Sequence, residues 1–281
     1  MSALVLGLIA AVAWGFHDIC VRFVSQKNPL MTSLLFVLST GLAFHLGVMI
    51  WANELHLPTG KGFWHAVVSG FFFLMASLGL YGAFQRGPVR LVSPIIASYP
   101  ILSLLWAAFS GAEISTFQWC AVLLIIVGVS TVAALSDTTR DKVPPRGRTI
   151  CYASIAAIGF AGTFAFGQSA AVLSGELPAT LVARLAATAC LIAMIGTLGL
   201  PLWPGKSALP VLGLMGLADG LALLCVMSAG GLPDAQFAAV AASTFGLLTI
   251  VMAWLWLGEH MRVRQWIGCA IAFFGIGYLA L

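Results

Sequence analysis

The chain has 281 residues, of which 61% are hydrophobic and only 8% are charged, and its mean hydropathy is +1.05. Soluble domains carry roughly 25% charged residues, so this chain has too little polar surface to fold in water, and its main solvent is lipid. The net charge of +4 is small and its basic residues are scattered, which excludes a nucleic-acid-binding protein and predicts an all-α polytopic membrane protein.

Ten stretches of the chain are apolar and long enough to cross a bilayer, which takes about 20 residues per helix. The predicted spans are residues 3–24, 30–51, 62–85, 90–110, 117–135, 149–174, 178–200, 207–230, 235–257 and 264–281. No positive charge precedes the first stretch, so we interpret it as a retained helix and not as a signal peptide. The polar segment 136–148 is predicted to be a cytoplasmic linker between a first repeat, 1–135, and a second, 149–281.

Span 1 carries three residues of chemical interest inside its apolar run: Trp14, His17 and Asp18. Trp14 and Asp18 are four residues apart and share a helical face, where a ring beside a carboxylate suits the ammonium group of a zwitterion. Histidine is the side chain whose ordinary charge change falls near neutral pH, so His17 is a candidate for proton coupling. A location at the cytoplasmic interface, close to Arg22, is the alternative interpretation of all three.

Span 4 contains Pro94 and Pro100, which predict a kinked or broken helix because proline removes a backbone hydrogen bond. Hydroxyl-bearing side chains lie beside the second proline and midway along span 9, the corresponding span of the second half. This layer is our predicted substrate site, with helix packing as the alternative. Its residues are Ser98, Tyr99, Ser243 and Thr244.

Two charged residues lie deep in neighbouring spans of the second half. Asp219 is about 18 Å from the start of span 8, and Arg184 is at a comparable depth in span 7. Charged groups at this depth need a partner or a function, so an Asp219–Arg184 ion pair is predicted, either structural or as a switch. The alternative is that Arg184 extends to the outer interface. Tyr81 at the end of span 3 and Gln168 in span 6 are weaker candidates for substrate-binding residues, of the same kind as the hydroxyl layer of spans 4 and 9.

The two halves of the chain share a sequence pattern. In the first half it consists of Glu113, Gln118, Trp119 and Gly128, and in the second half of Glu259, Gln265, Trp266 and Gly275. A duplicated unit with five spans enters the membrane from opposite sides in its two copies, so the repeats are predicted to be inverted. The repeated glutamates are expected to cap or brace helix hairpins.

The basic residues predict the orientation of the bundle. Eleven of the 13 Lys and Arg residues follow odd-numbered spans, whereas even-numbered spans are followed only by Lys61. By the positive-inside rule the odd loops are cytoplasmic and both termini are outside.

Together these motifs resemble the EamA-type branch of the drug/metabolite transporter superfamily and, within it, the amino-acid exporter subgroup often called YddG. The resemblance implies ten helices, a monomer, and a central cavity lined by spans 1, 3, 4, 6, 8 and 9, with spans 5 and 10 bracing the fold. Many relatives have cytoplasmic termini, and this charge pattern departs from them.

The expected function is a secondary transporter in the inner membrane that exports small organic solutes, foremost amino acids, by alternating access, and the expected coupling ion is the proton. A transporter of other metabolites, sugars or drugs, or a channel-like facilitator, is the alternative. No motif for a nucleophile, a phosphate-binding loop or a metal site occurs, so no enzyme, catalytic residue, metal or cofactor is predicted. The six cysteines lie in or beside apolar runs and predict no disulfide framework.

Overall fold

The computed structural model describes residues 2–109, 115–135, 146–232 and 236–279, and every regular element in these ranges is helical. In chain order the α-helices are α1 (Ala3–Val24), α2 (Leu30–Ala52), α3 (Gly60–Arg86), α4 (Val89–Ala97), α5 (Tyr99–Phe109), α6 (Thr116–Leu135), α7 (Arg146–Ser174), α8 (Glu176–Leu198), α9 (Leu209–Ser228), α10 (Gln236–Ser243), α11 (Phe245–Trp256) and α12 (Val263–Leu279).

Each of the ten predicted spans coincides with one helix or with two consecutive helices, which confirms the all-α polytopic fold. Within the described ranges, seven helical segments are long and apolar enough to cross a membrane, and shorter apolar segments cover 89–103 and 116–132. The last span is α12, with 17 residues. Helix α7 begins at Arg146, slightly earlier than predicted. Glu113 and most of the predicted linker, 136–145, lie outside the described residues.

Spans 4 and 9 are each broken near the middle. Span 4 divides into α4 and α5 at Ser98, directly before Tyr99 and Pro100, whereas Pro94 lies within α4 without ending it. Span 9 divides into α10 and α11 at Thr244, where no proline occurs. The sequence predicts the first break but not the second, because proline is a strong helix-breaking signal and occurs only at the first break.

The packing of the helices follows the internal repeat. Helix α3 packs against α7 and α8, and α9, its counterpart, packs against α1 and α2. The broken spans repeat this relation, since α4 and α5 contact α7 while α10 and α11 contact α1. Helix α6 packs against α12, α2 against α8, and α4 against α11. Each contact therefore has its counterpart, and with five spans per half the two repeats are inverted.

Close helix crossings depend on glycine. At the crossing of α3 and α7, a Cβ atom on Gly79 would lie 2.7 Å from the backbone nitrogen of Ala156, and one on Gly159 would lie 2.5 Å from that of Ala76. Without a hydrophobic driving force between helices in lipid, such backbone proximity supplies the packing energy. This crossing joins the two repeats next to the centre of the bundle.

Candidate functional site

A buried ion pair lies at the centre of the bundle. The Nη1 atom of Arg184 on α8 is 2.6 Å from the Oδ2 atom of Asp219 on α9. Arg184 is fully buried, and its guanidinium carbon lies 4.6 Å from the ring centre of Phe73. The structure thus brings the two predicted charges together, and the alternative of an Arg184 side chain at the membrane interface is wrong.

A glycine on α2 makes room for this ion pair. A Cβ atom on Gly41 would lie 2.7 Å from the Nη1 atom of Arg184, so any larger residue would displace the guanidinium. Beside it, His45 donates from Nε2 to the backbone carbonyl of Gly220 at 2.9 Å. Neither residue was predicted to belong to the site, because a glycine and a histidine in an apolar span have more common packing roles.

Trp14 contributes the second contact to Asp219. Its indole Nε1 donates to Oδ1 of Asp219 at 3.0 Å, so both carboxylate oxygens are engaged. The sequence predicted Trp14 beside a carboxylate, but the expected partner was Asp18 on its own helix. The observed partner comes from α9, because the indole extends across the helix interface.

We expect replacement of Trp14 by phenylalanine to lower the unfolding free energy by about 1.5–3 kcal/mol, the usual contribution of a hydrogen bond to a charged group. Thermal unfolding of the purified protein in detergent measures the change. Trp256→Phe is the matched control, because that side chain is 63% exposed. Equal melting temperatures for the two variants would contradict a stabilising role for the indole.

A second polar group lies one turn further along α1. His17 Nδ1 is 3.0 Å from Asp18 Oδ1, and His17 Nε2 is 3.3 Å from the hydroxyl of Tyr81 on α3. All three side chains are buried. With Asp18 ionised, Nδ1 donates to the carboxylate, and Nε2 of the neutral ring accepts from Tyr81. The chain Asp18–His17–Tyr81 therefore connects two helices of the first repeat.

Both polar groups border one small cavity. It is lined by Trp14, His17, Asp18, Ser77, Tyr81 and Asp219 together with apolar side chains of α2, α3 and α7. The space that the centre of a water molecule can occupy inside it is about 10 Å³, so the cavity can hold one water molecule. The lining differs from the one implied by the resemblance, because span 2 contributes to it and spans 4 and 9 do not.

Spans 4 and 9 instead contribute to an adjoining layer of aromatic rings. Trp14 packs against Phe164 at 5.6 Å and against Phe245 at 6.2 Å between ring centres. Tyr99 lies 5.1 Å from Phe164, and Phe160 lies 5.9 Å from it. The rings come from α1, α5, α7 and α11, so this layer joins the two repeats immediately beside the ion pair.

The predicted hydroxyl layer is not part of this cavity. Ser98 donates to the carbonyl of Ile95 at 2.7 Å, and its counterparts Ser243 and Thr244 likewise donate to carbonyls three residues earlier. These bonds satisfy carbonyls at the two helix breaks.

The other predicted members are also engaged elsewhere. Tyr99 donates to the carbonyl of Ala239, and Gln168 donates to that of Val226 at 3.2 Å. A role for them in binding stays a prediction. Within the described part of the chain, no three His, Cys, Asp or Glu side chains are grouped closely enough to hold a metal ion.

One end of the bundle is closed by Glu259. Its carboxylate accepts from the backbone nitrogens of Val89 at 3.0 Å and of Arg90 at 3.3 Å, which begin helix α4. Arg22 on α1 lies 3.9 Å from the same carboxylate and donates to the carbonyl of Phe84 at 2.7 Å. Glu259 was expected to brace the hairpin of spans 9 and 10, and its observed partner is the first repeat instead.

Amide side chains complete this closure. Gln26, in the turn after α1, donates to the carbonyl of Gln85 at 2.9 Å, and Gln85 donates to that of Ser25 at 3.2 Å. Outside the closure is a surface concavity of about 290 Å³, lined in part by Arg22, Lys27 and Glu259. The site is therefore separated from this surface by contacts between α1, α3, α4 and the segment before α12.

We expect replacement of Glu259 by alanine to accelerate amide hydrogen exchange in the first turn of α4, because the change removes a helix cap of about 0.5–2 kcal/mol. Mass spectrometry of a peptide covering 88–97 reports the rate. Glu54→Ala, at an exposed position after α2, is the control. Unchanged exchange in the Glu259 variant would show that the carboxylate does not hold this end closed.

Comparison with known proteins agrees with this architecture. The sequence pattern of the EamA-like transporter family matches residues 1–134 and 147–281. A solved crystal structure has the same fold, with a TM-score of 0.73 and 16% sequence identity over 99% of this chain and 98% of that chain.

One curated relative is shorter. An uncharacterized protein of Methanocaldococcus jannaschii is 26% identical over 129 residues, which are 46% of this chain and 93% of that protein. That relative is therefore about as long as one repeat. The inverted five-helix halves and the match along both of them show that the chain belongs to the EamA-like transporter family and is a multi-pass membrane transporter of small solutes.

Proposed function

We propose that this protein exports small organic solutes, foremost amino acids, across the inner membrane by alternating access, as a monomer and with protons as the coupling ion. The observation that carries the proposal is the Arg184–Asp219 ion pair, 2.6 Å long and buried at the junction of the two repeats. We also propose that the chain is related to the YddG-like amino-acid exporter subgroup, which it resembles in sequence.

The ion pair favours a zwitterion as the substrate. A solute that separates two buried charges must satisfy both, because an unpaired charge in a low-dielectric interior is strongly unfavourable. An amino acid does so: its carboxylate can pair with Arg184, while its ammonium can pair with Asp219 beside the ring of Trp14. A neutral or singly charged solute leaves at least one of the two charges unpaired.

The size of the cavity supports a carrier and not an open pore. With room for about one water, it holds no amino acid until the helices around it separate. The aromatic layer and the closure at Glu259 lie between the two repeats, so a rocking motion of the repeats changes both. In our proposal the ion pair opens as substrate enters and closes again in the empty carrier.

The orientation follows from charge. Basic residues concentrate after odd spans, so we propose that the Glu259 end faces the cytoplasm and that both termini lie outside. The concavity lined by Arg22, Lys27 and Glu259 is then the cytoplasmic entrance, with groups of both signs for a zwitterion.

Counterflow in proteoliposomes tests the proposal. Vesicles containing the purified protein are loaded with an unlabelled amino acid, and uptake of the labelled one is followed for each of the common amino acids. We expect saturable uptake with the native chain and none with Asp219→Asn, which has nearly the same shape without the charge. Absence of counterflow for every amino acid, with folded protein, would contradict the amino-acid proposal.

A further inference from the structure

The buried charges around the cavity do not balance. Arg184 and Asp219 compensate each other at 2.6 Å, whereas Asp18 has only the imidazole ring of His17 at 3.0 Å. Asp18 is 1% exposed, and its Oδ2 atom has no hydrogen-bond partner in the described part of the chain. With His17 neutral, the cluster has one net negative charge inside the membrane.

The neighbouring helices supply no cation to compensate Asp18. Helix α3 contributes Tyr81, α9 contributes Asp219, and Arg184 of α8 is already paired with Asp219. The sequences of α10 and α11 contain no charged residue. On α1 itself, Arg22 is engaged with the closure at the helix end.

The remaining titratable groups nearby do not change this balance. Cys20 on α1 is neutral as a thiol. His45 on α2 hydrogen-bonds the carbonyl of Gly220 and does not line the cavity. A proton is the smallest cation that reaches a cavity holding one water, and it balances the cluster without further space.

We propose that the Asp18–His17 pair is a proton-binding site, separate from the Asp219–Arg184 substrate site, and that the empty carrier closes with one proton bound there. The proposal rests on the proposed function for its role in transport, but the proton site itself is independent of the substrate. Because Nδ1 of His17 already carries the proton of its hydrogen bond to Oδ1, the added proton lies on Oδ2 of Asp18 or on Nε2 of His17. Tyr81 is a positioning residue that fixes the ring through Nε2.

The division into two sites follows from their hydrogen bonds. Asp219 has a full positive charge and an indole N–H as partners, so its ionised form is already satisfied. Asp18 has one neutral donor and a free oxygen, so its ionised form is the less satisfied of the two. Among the acids of this cavity, Asp18 is therefore the one that takes the proton.

Proton uptake by the purified protein tests the site without any substrate. The protein in detergent is acidified from about pH 8 to about pH 5, the range in which histidine titrates, and an indicator dye counts the protons bound. We expect the native chain to bind about one proton more than the double variant His17→Gln/Asp18→Asn. Ser77→Ala is the matched control, because Ser77 borders the same cavity without a charge, and this variant should retain the proton.

Equal uptake by the native chain and the double variant would overturn the proposal, as would loss of the proton in Ser77→Ala. If the double variant does not fold, Tyr81→Phe provides the test. Removing its hydroxyl frees Nε2 to accept a proton, so the pH midpoint of uptake should rise. An unchanged midpoint would also overturn the proposal.

Transport gives a second readout that separates this proposal from the proposed function. Counterflow of a mixture of labelled amino acids should be several-fold faster at about pH 6 than at about pH 8 in the native chain, and independent of pH in Asp18→Asn. Proton uptake without any amino-acid counterflow would leave the proton site standing and contradict the substrate. Counterflow with the same pH dependence in native and Asp18→Asn protein would contradict the proton site alone.

Discussion

Replacement of Arg184 by methionine should abolish amino-acid counterflow and lower the unfolding free energy by about 3–5 kcal/mol, because it leaves Asp219 charged and unpaired in the interior. Methionine fills much of the same volume and can still pack on Phe73. Loss of packing therefore contributes little, and the effect reports the charge. Thermal unfolding in detergent and proteoliposome counterflow are the two measurements.

The double variant Arg184→Met/Asp219→Asn separates charge balance from transport. Neither buried charge is then present, so we expect most of the lost stability to return while counterflow stays absent. If the double variant is as unstable as Arg184→Met, the instability does not arise from an unpaired carboxylate. If counterflow returns with the stability, the pair is structural and the proposed substrate site is wrong.

Replacement of Gly159 by valine should prevent assembly of the native bundle. A Cβ atom there would lie 2.5 Å from the backbone nitrogen of Ala76, and backbone atoms cannot move aside as a flexible side chain can. Overpacking in a well-packed core costs about 1–3 kcal/mol, and a backbone clash in the densest crossing between the repeats should exceed this range. The yield of monodisperse protein after purification measures the effect.

Gly213→Val in α9 is the matched control, because a Cβ atom there meets no atom within 4 Å. We expect near-native yield for this variant. Similar losses of yield in both variants would mean that valine disturbs the local helix conformation, and that Gly159 is not needed for the crossing of α3 and α7.

The span count, the repeat and the first helix break could be predicted because each has a strong local signal. Apolar length identifies a span, an odd number of spans per copy implies inversion, and Pro100 marks the break of span 4. The break of span 9 has no such signal, because no proline marks it. The carbonyls at this break are instead bonded by the hydroxyl groups of Ser243 and Thr244. Serine and threonine occur in many unbroken helices, so the sequence does not distinguish this case.

The site was predicted only in part. Depth along neighbouring spans permitted an ion pair between Arg184 and Asp219, the contact that the structure has, but it left the outer interface open as the alternative for Arg184. Helical spacing placed Trp14 beside Asp18, yet its indole reaches Asp219 on another helix. Such a contact depends on which helices are neighbours and how they are rotated. The spacing of residues within one span contains neither quantity.

Competition by modified amino acids tests the central claim most directly, namely that the Arg184–Asp219 pair opens to receive a zwitterion. The competitors of counterflow are the amino acid that the native chain exchanges fastest, its amide, which lacks the carboxylate, and its N-acetyl derivative, which lacks the ammonium. We predict that each derivative competes about 10- to 100-fold more weakly than the parent, because it leaves one buried charge unpaired. A derivative that competes as well as the parent would contradict the claim.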